Sequence, residues 1–397
     1  MTSRERILTA LDHKEPDRIP VDLGGTVVTS IALSTYAALR DKLGLPKKPI
    51  RVMETVQQIA WVDEDVLDLF GADVIPVFAN PAAGYSPIFV DEGERGDSFK
   101  DEFGATLRRP RGGLYYDWQE FPLAEPSIEA MERMPWPDPA DPARFQGLRR
   151  RVQALRAGTG RALFGMAPCG HDLLNQLWRI RGMEEGMMDL VLHVDFVEAF
   201  LDRLTQTIIT AQELFLGEVG DLIDVHFTAD DLTGQYGPLI SPDLYRRVIK
   251  PRWARILSAI KAKTRAKILY HSCGALTTFL PDLIEIGIDI INPVQVTAAG
   301  MDSADLKKRF GDRLSFWGGG CNTQAVLPRG TPHEVREEVR RRIRDLAPGG
   351  GFVFNPVHNI QPHVPPANVM AMFEAAREFG RYPIRAQTGR SKVPWVP

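Results

Sequence analysis

The chain has 397 residues, with 48 Lys and Arg against 51 Asp and Glu, 44% hydrophobic and 25% charged residues. These proportions suit a globular chain with a large buried core and exclude a disordered or collagen-like one. A formal net charge of −3 supplies no basic field for phosphate backbones, so nucleic acid is not an expected partner.

The N-terminus, Met1-Thr2-Ser3-Arg4-Glu5-Arg6 leading into Ile7-Leu8 and Ala10-Leu11, reads as a short amphipathic helix rather than a secretory leader. No uninterrupted apolar run reaches ~18 residues, so a soluble, cytoplasmic protein without a membrane span is expected. Candidate strands then follow at Ile19–Leu23, Val74–Phe78, Ala162–Met166, Leu222–Phe227, Ile268–His271, Ile288–Asn292, Leu314–Trp317 and Phe352–Asn355. Most are continuous apolar runs, as parallel strands covered on both faces require. The stretches between them carry helix signals. The clearest is Thr331-Pro332-His333-Glu334, a capping box with Pro at the first helical position. Gly349-Gly350-Gly351 ends that helix and leads to the last strand.

Eight strand–helix units predict an α/β fold, a (β/α)8 TIM barrel spanning 1–397 as a single domain, with its chemistry at the carboxyl ends of the strands. A doubly wound sheet is disfavoured, because Leu23-Gly24-Gly25-Thr26 does not continue as a dinucleotide-binding loop. The polar and aromatic stretch of about 84–120 predicts an antiparallel hairpin insertion in an early loop. Met134-Pro135-Trp136-Pro137-Asp138-Pro139 is a stiff connector back to the barrel, and the tail, 385–397, reads as mobile.

The three cysteines, Cys169, Cys273 and Cys321, are too few for a disulfide framework, leaving them as core residues, nucleophiles or metal ligands. His271-Ser272-Cys273-Gly274 closes the fifth candidate strand, and alternate residues of an extended segment point the same way. His271 and Cys273 can therefore both face the barrel mouth, with Cys321 at the end of the seventh strand. One imidazole and two thiolates suit Zn2+ with its fourth position open, the pattern of a catalytic zinc. Burial as small hydrophobes is the alternative for the cysteines.

Asp230 and Asp231 follow the fourth strand. They read either as catalytic groups, holding a cation, orienting an imidazole or acting as a base, or as caps of the next turn. Cys169 and His171 in Met166-Ala167-Pro168-Cys169-Gly170-His171, Gln295 after the sixth strand and His358 after the eighth are candidate walls of the substrate pocket.

Glu15-Pro16-Asp17-Arg18-Ile19-Pro20-Val21, His271-Ser272-Cys273-Gly274, Asn292-Pro293-Val294-Gln295, Gly330-Thr331-Pro332 and the Gly349-to-Asn368 close resemble the uroporphyrinogen decarboxylase superfamily over nearly the whole chain. The resemblance implies the same barrel. It also implies a choice between two branches. True decarboxylases of this superfamily grip porphyrinogen carboxylates with an Arg-rich segment after the first strand. Here that place reads Asp22-Leu23-Gly24-Gly25-Thr26-Val27-Val28, without arginine. The other branch holds zinc-dependent, corrinoid-linked methyltransferases, whose His-x-Cys and later Cys match His271, Cys273 and Cys321.

The expectation is therefore a zinc-dependent methyltransferase. It would exchange a methyl group between cobalamin on a separate corrinoid protein and a small thiol or methyl ether. The chain has no Asp-x-His-x-x-Gly segment of its own for ligating cobalt. A metal-free decarboxylase or lyase, a zinc hydrolase and a non-catalytic ligand-binding barrel are the alternatives. By analogy with the superfamily, a homodimer is the expected assembly.

Overall fold

The computed structural model describes residues 1–385; the tail expected to be mobile lies, from residue 386, outside the described residues. Seven strands form one parallel sheet: Val74–Phe78, Ala162–Met166, Val225–Ala229, Lys267–His271, Ile290–Asn292, Ser315–Trp317 and Phe352–Val353. They neighbour one another in chain order, with helices such as Val194–Val219, Lys250–Lys263 and Pro332–Leu346 between them. This is an α/β fold with a curled parallel sheet of TIM-barrel form.

The expected first strand makes only a bridge. Val21 pairs in parallel with Phe354, and Asp22 N–H donates to the Phe354 carbonyl at 2.8 Å. On its other side the Val21 carbonyl accepts from Asp73 N–H at 2.7 Å. Residues 20–22 thus link the two edges of the seven-strand sheet. Pro20 and the glycines at 24 and 25 keep this segment too short and too irregular for a regular ladder.

The apolar runs bury both faces by alternation. Val74, Phe164, Val225, Phe227, Leu269, Ile290, Trp317 and Val353 cluster inside the curl. Their neighbours Leu163, Ile268, Tyr270, Ile291, Phe316 and Phe352 pack outward into the helix layer. The period of two carries this inner face onward from Leu269 to His271 and from Ile290 to Asn292.

The segment expected as a hairpin is more elaborate. Val90–Asp91, Asp97–Lys100, Thr106–Arg109 and Asp117–Glu120 form a four-stranded antiparallel sheet in sequential order. Phe99, Leu107 and Tyr116 make its own small core. A further three-stranded sheet, Ile31–Ala32, Val52–Glu54 and Ile59–Ala60, has no counterpart among the expected strands. The helix predicted from Thr331 runs Pro332–Leu346 with its capping box formed. Among the described residues no helix is long and apolar enough to cross a membrane.

Candidate metal centre

His271 ends its strand in register with Asn292 on one side and Ala229 on the other. That register determines its chemistry. Asn292 donates Nδ2–H to the Trp317 carbonyl at 2.8 Å, so its Oδ1 faces His271 Nδ1 at 2.6 Å. An acceptor there requires the proton on Nδ1, which leaves the Nε2 lone pair free. Nε2 lies 3.6 Å from the Cys273 sulfur.

The loop after His271 is tied down at each residue. Ser272 N–H donates to the Asn292 carbonyl at 2.8 Å. Cys273 N–H donates to Asp231 Oδ1 at 2.7 Å, and its carbonyl accepts from Thr233 Oγ1 at 2.6 Å. Gly274, at φ +95°, donates to Gln295 Oε1 at 2.8 Å. A Cβ at Gly274 would stand 2.6 Å from the Thr233 carbonyl oxygen, so only glycine lets the two loops touch.

His358 completes the cluster. The ligand atoms of His271, Cys273 and His358 all lie within 4.8 Å of one another, and the two imidazoles meet edge to face at 5.6 Å. Burial, with the neighbouring His271, pushes the His358 imidazole down to about 4, so it is neutral at pH 7. Burial, and then the Asp231 charge, hold the metal-free Cys273 thiol well above its ordinary range. Without a metal the thiol is protonated and donates to His271 Nε2.

The other expected site residues divide. Asp231 faces Cys273, but the Asp230 carboxylate turns into the protein. It accepts from Leu173, Leu174 and Asn175 N–H at 3.1–3.2 Å and from Trp253 Nε1 at 3.2 Å. It caps the start of the helix Leu174–Arg181, the second of the two roles expected for it, with its oxygens held by backbone N–H groups and an indole. Cys169 faces the proline-rich connector. It takes a left-handed φ of 67°, and its thiol sits 3.9 Å from the Asp138 carbonyl there.

His171 stays near the mouth, its ring 5.4 Å from Phe227, which stacks on His271 at 6.3 Å. Gln295 braces the Cys273 loop and is held by Gln235 at 2.8 Å. Cys321 stands outside the trio. Its side chain is wholly buried in the hydrophobic core, and its carbonyl accepts from Val357 N–H, next to His358, at 3.0 Å.

Two groups at the mouth escaped the sequence reading. One is Asn292, which sets the His271 tautomer. The other is Asp172, buried beside His171 and paired with Arg179 at 3.0 Å. The Arg179 guanidinium lies 5.1 Å over the Trp118 ring and so joins the antiparallel sheet to the mouth. Asp172 directly follows His171, and that adjacency was the available signal.

Residues 115–379 match the family described as uroporphyrinogen decarboxylase (URO-D). The chain belongs to the URO-D family. It is similar to a uroporphyrinogen decarboxylase from Pseudoalteromonas translucida (strain TAC 125), 34% identical over 96 residues, covering 23% of this chain and 26% of that protein. One from Saccharophagus degradans is 25% identical over 191 residues, covering 47% of this chain and 49% of the relative. The chain thus spans at most about half the length of these two relatives. A solved structure described as a methyltransferase from Methanosarcina mazei superposes with a TM-score of 0.61 at 18% identity, covering 96% of this chain and 99% of that one. At that identity the likeness shows a shared fold.

Proposed function

We propose that this URO-D family member is a zinc-dependent methyltransferase. In this reading it moves a methyl group between a corrinoid on a partner protein and a small thiol or methyl ether. The observation that carries it is the His271–Cys273 pair. Zinc bonds of about 2.0–2.1 Å to nitrogen and about 2.3 Å to sulfur, at a tetrahedral angle, put the two ligand atoms about 3.6 Å apart. The structure spaces Nε2 and Sγ at 3.6 Å, so the residues fit the ion.

His271 and Cys273 would hold the metal, with Cys321 as the third ligand that the family resemblance implies. Bound zinc supplies a Lewis acid whose open position takes the substrate heteroatom and stabilises negative charge on it. The chain's own residues prepare that position. Asn292 keeps Nε2 unprotonated, Asp231 and Gln295 fix the Cys273 turn, and Phe227 backs the His271 ring. The corrinoid would arrive on its partner, because the chain lacks the Asp-x-His-x-x-Gly segment.

The names of the curated relatives favour a second reading, decarboxylation. A polycarboxylate substrate needs matching cations in its pocket. Residues 22–28 contain none, and the nearby Arg179 is committed to Asp172. Elemental analysis of the untagged protein is expected to find about one zinc per chain, lost in Cys273→Ala. The loaded protein should then shift the cobalt absorption of methylcobalamin in the presence of a thiol. Wild-type protein that stays metal-free after incubation with zinc and reductant would remove the reading.

A further inference from the structure

The zinc reading leaves the third ligand to Cys321, yet the side chain that meets His271 and Cys273 is His358. The three ligand atoms lie within 4.8 Å of one another with no rearrangement. His358 is half-buried, whereas the Cys321 side chain is wholly enclosed in the core.

The loop before Cys321 has little room to turn its thiol outward. Gly318 and Gly319 take φ of +90° and +82°, and even a Cβ on Gly319 would come within 2.6 Å of the Val294 side chain. Gly320 N–H donates to the Asn355 carbonyl at 2.8 Å, and the Cys321 carbonyl accepts from Val357 N–H at 3.0 Å. These two bonds lace the Cys321 loop to the His358 loop and hold 358, rather than 321, against the His271 ring.

We infer that His358 supplies the third protein ligand of this centre, in the place the family resemblance gives to Cys321. The inference rests on the zinc reading. The ligand set becomes two imidazoles and one thiolate, still with one position open for substrate. It carries one more unit of positive charge than a set with two thiolates, which makes the bound metal the stronger Lewis acid.

Cobalt(II) in place of zinc tests it, because thiolate-to-cobalt charge-transfer absorption grows with the number of thiolates bound and imidazole adds none. Cys321→Ala should leave that band and the zinc affinity at wild-type values. His358→Gln should keep the band but weaken zinc binding at least about tenfold, since even outer-shell partners of a metal cost 10–100-fold. His358→Cys should strengthen the band, a gain that misfolding does not mimic.

If position 358 changes neither affinity nor spectrum while Cys321→Ala lowers both, the inference falls and the zinc reading stands. If wild-type protein takes up neither metal, both fall.

Discussion

Asn292 is held at Nδ2 by a strand carbonyl, so its oxygen faces His271 and the imidazole carries its proton on the far side from Cys273. Removing that oxygen leaves both nitrogens free to compete for the proton. On the proposed zinc reading, Asn292→Ala is therefore expected to weaken zinc binding about 10–100-fold, measured by competition with a chelator. The unmade bond to the Trp317 carbonyl should also cost about 1–3 kcal/mol of stability. Unaltered zinc affinity would mean that the tautomer does not matter. His226 gives a pH test on the outer face of the sheet, against the helix Val194–Val219. It is wholly buried against Gln212, with Nε2 2.6 Å from Oε1, and burial pushes it down to about 3. An unfolded histidine takes up its proton near pH 6.5. Between pH 6.5 and about 3 the unfolded chain thus binds the extra proton. Stability is present above 6.5 and is lost as pH falls through that window. His226→Leu should shallow the slope of unfolding free energy against pH by about one proton near pH 5. An unchanged slope in denaturant titrations would show that His226 titrates normally.

Among the elements, the loop at 230–235 shows how two adjacent identical residues acquire different work. Asp230 points along the start of Leu174–Arg181 and satisfies its first two N–H groups and that of Leu173 before it, while Asp231 points across to the Cys273 backbone. Asp230→Ala should cost about 2–3 kcal/mol, the sum of a lost cap and an unpaired indole. Chemical denaturation would show it, and a loss below about 0.5 kcal/mol would contradict the capping role. The sequence placed both aspartates at a strand end correctly. It could not divide their roles, because alternation fixes side-chain direction only while the chain stays extended. The same limit explains Cys169, which a left-handed turn directs to the proline-rich connector.

Across the whole molecule, the sheet depends on a clasp at its amino-terminal end. Asp73, fully buried, accepts from Arg6 at 2.6 Å, from Arg18 at 2.7 Å and from Val21 N–H at 2.9 Å. It ties the N-terminal helix Ser3–Leu11 and the short first stave to Val74–Phe78. Asp73→Ala leaves the Arg18 guanidinium without a carboxylate and Arg6 with Asp17 alone, and should cost up to about 3–5 kcal/mol. Hydrogen exchange should then show residues 1–23 opening first. Uniform loss of protection would argue against a local clasp. On the other side of the sheet, Arg179 joins Asp172 at the mouth to Trp118 of the antiparallel sheet.

Hydrophobic periodicity alone determined the strand–helix alternation, and with it the face on which His271 and Asn292 would lie. Runs such as Ala162–Met166 and Val74–Phe78 were legible because both their faces are apolar and a charged residue, Arg161 or Asp73, precedes each. The capping box at Thr331 was legible because its chemistry is local. What joins distant loops was not. The meeting of His358 with His271 and Cys273, the enclosure of Cys321 and the Asp172–Arg179 bridge all depend on how the loops fold over the strand ends. Residue types can name a donor set, but only the tertiary structure decides which donors stand within bonding distance of one point. Loop direction there is fixed by non-local hydrogen bonds and close packing, which leave no periodic trace in the sequence.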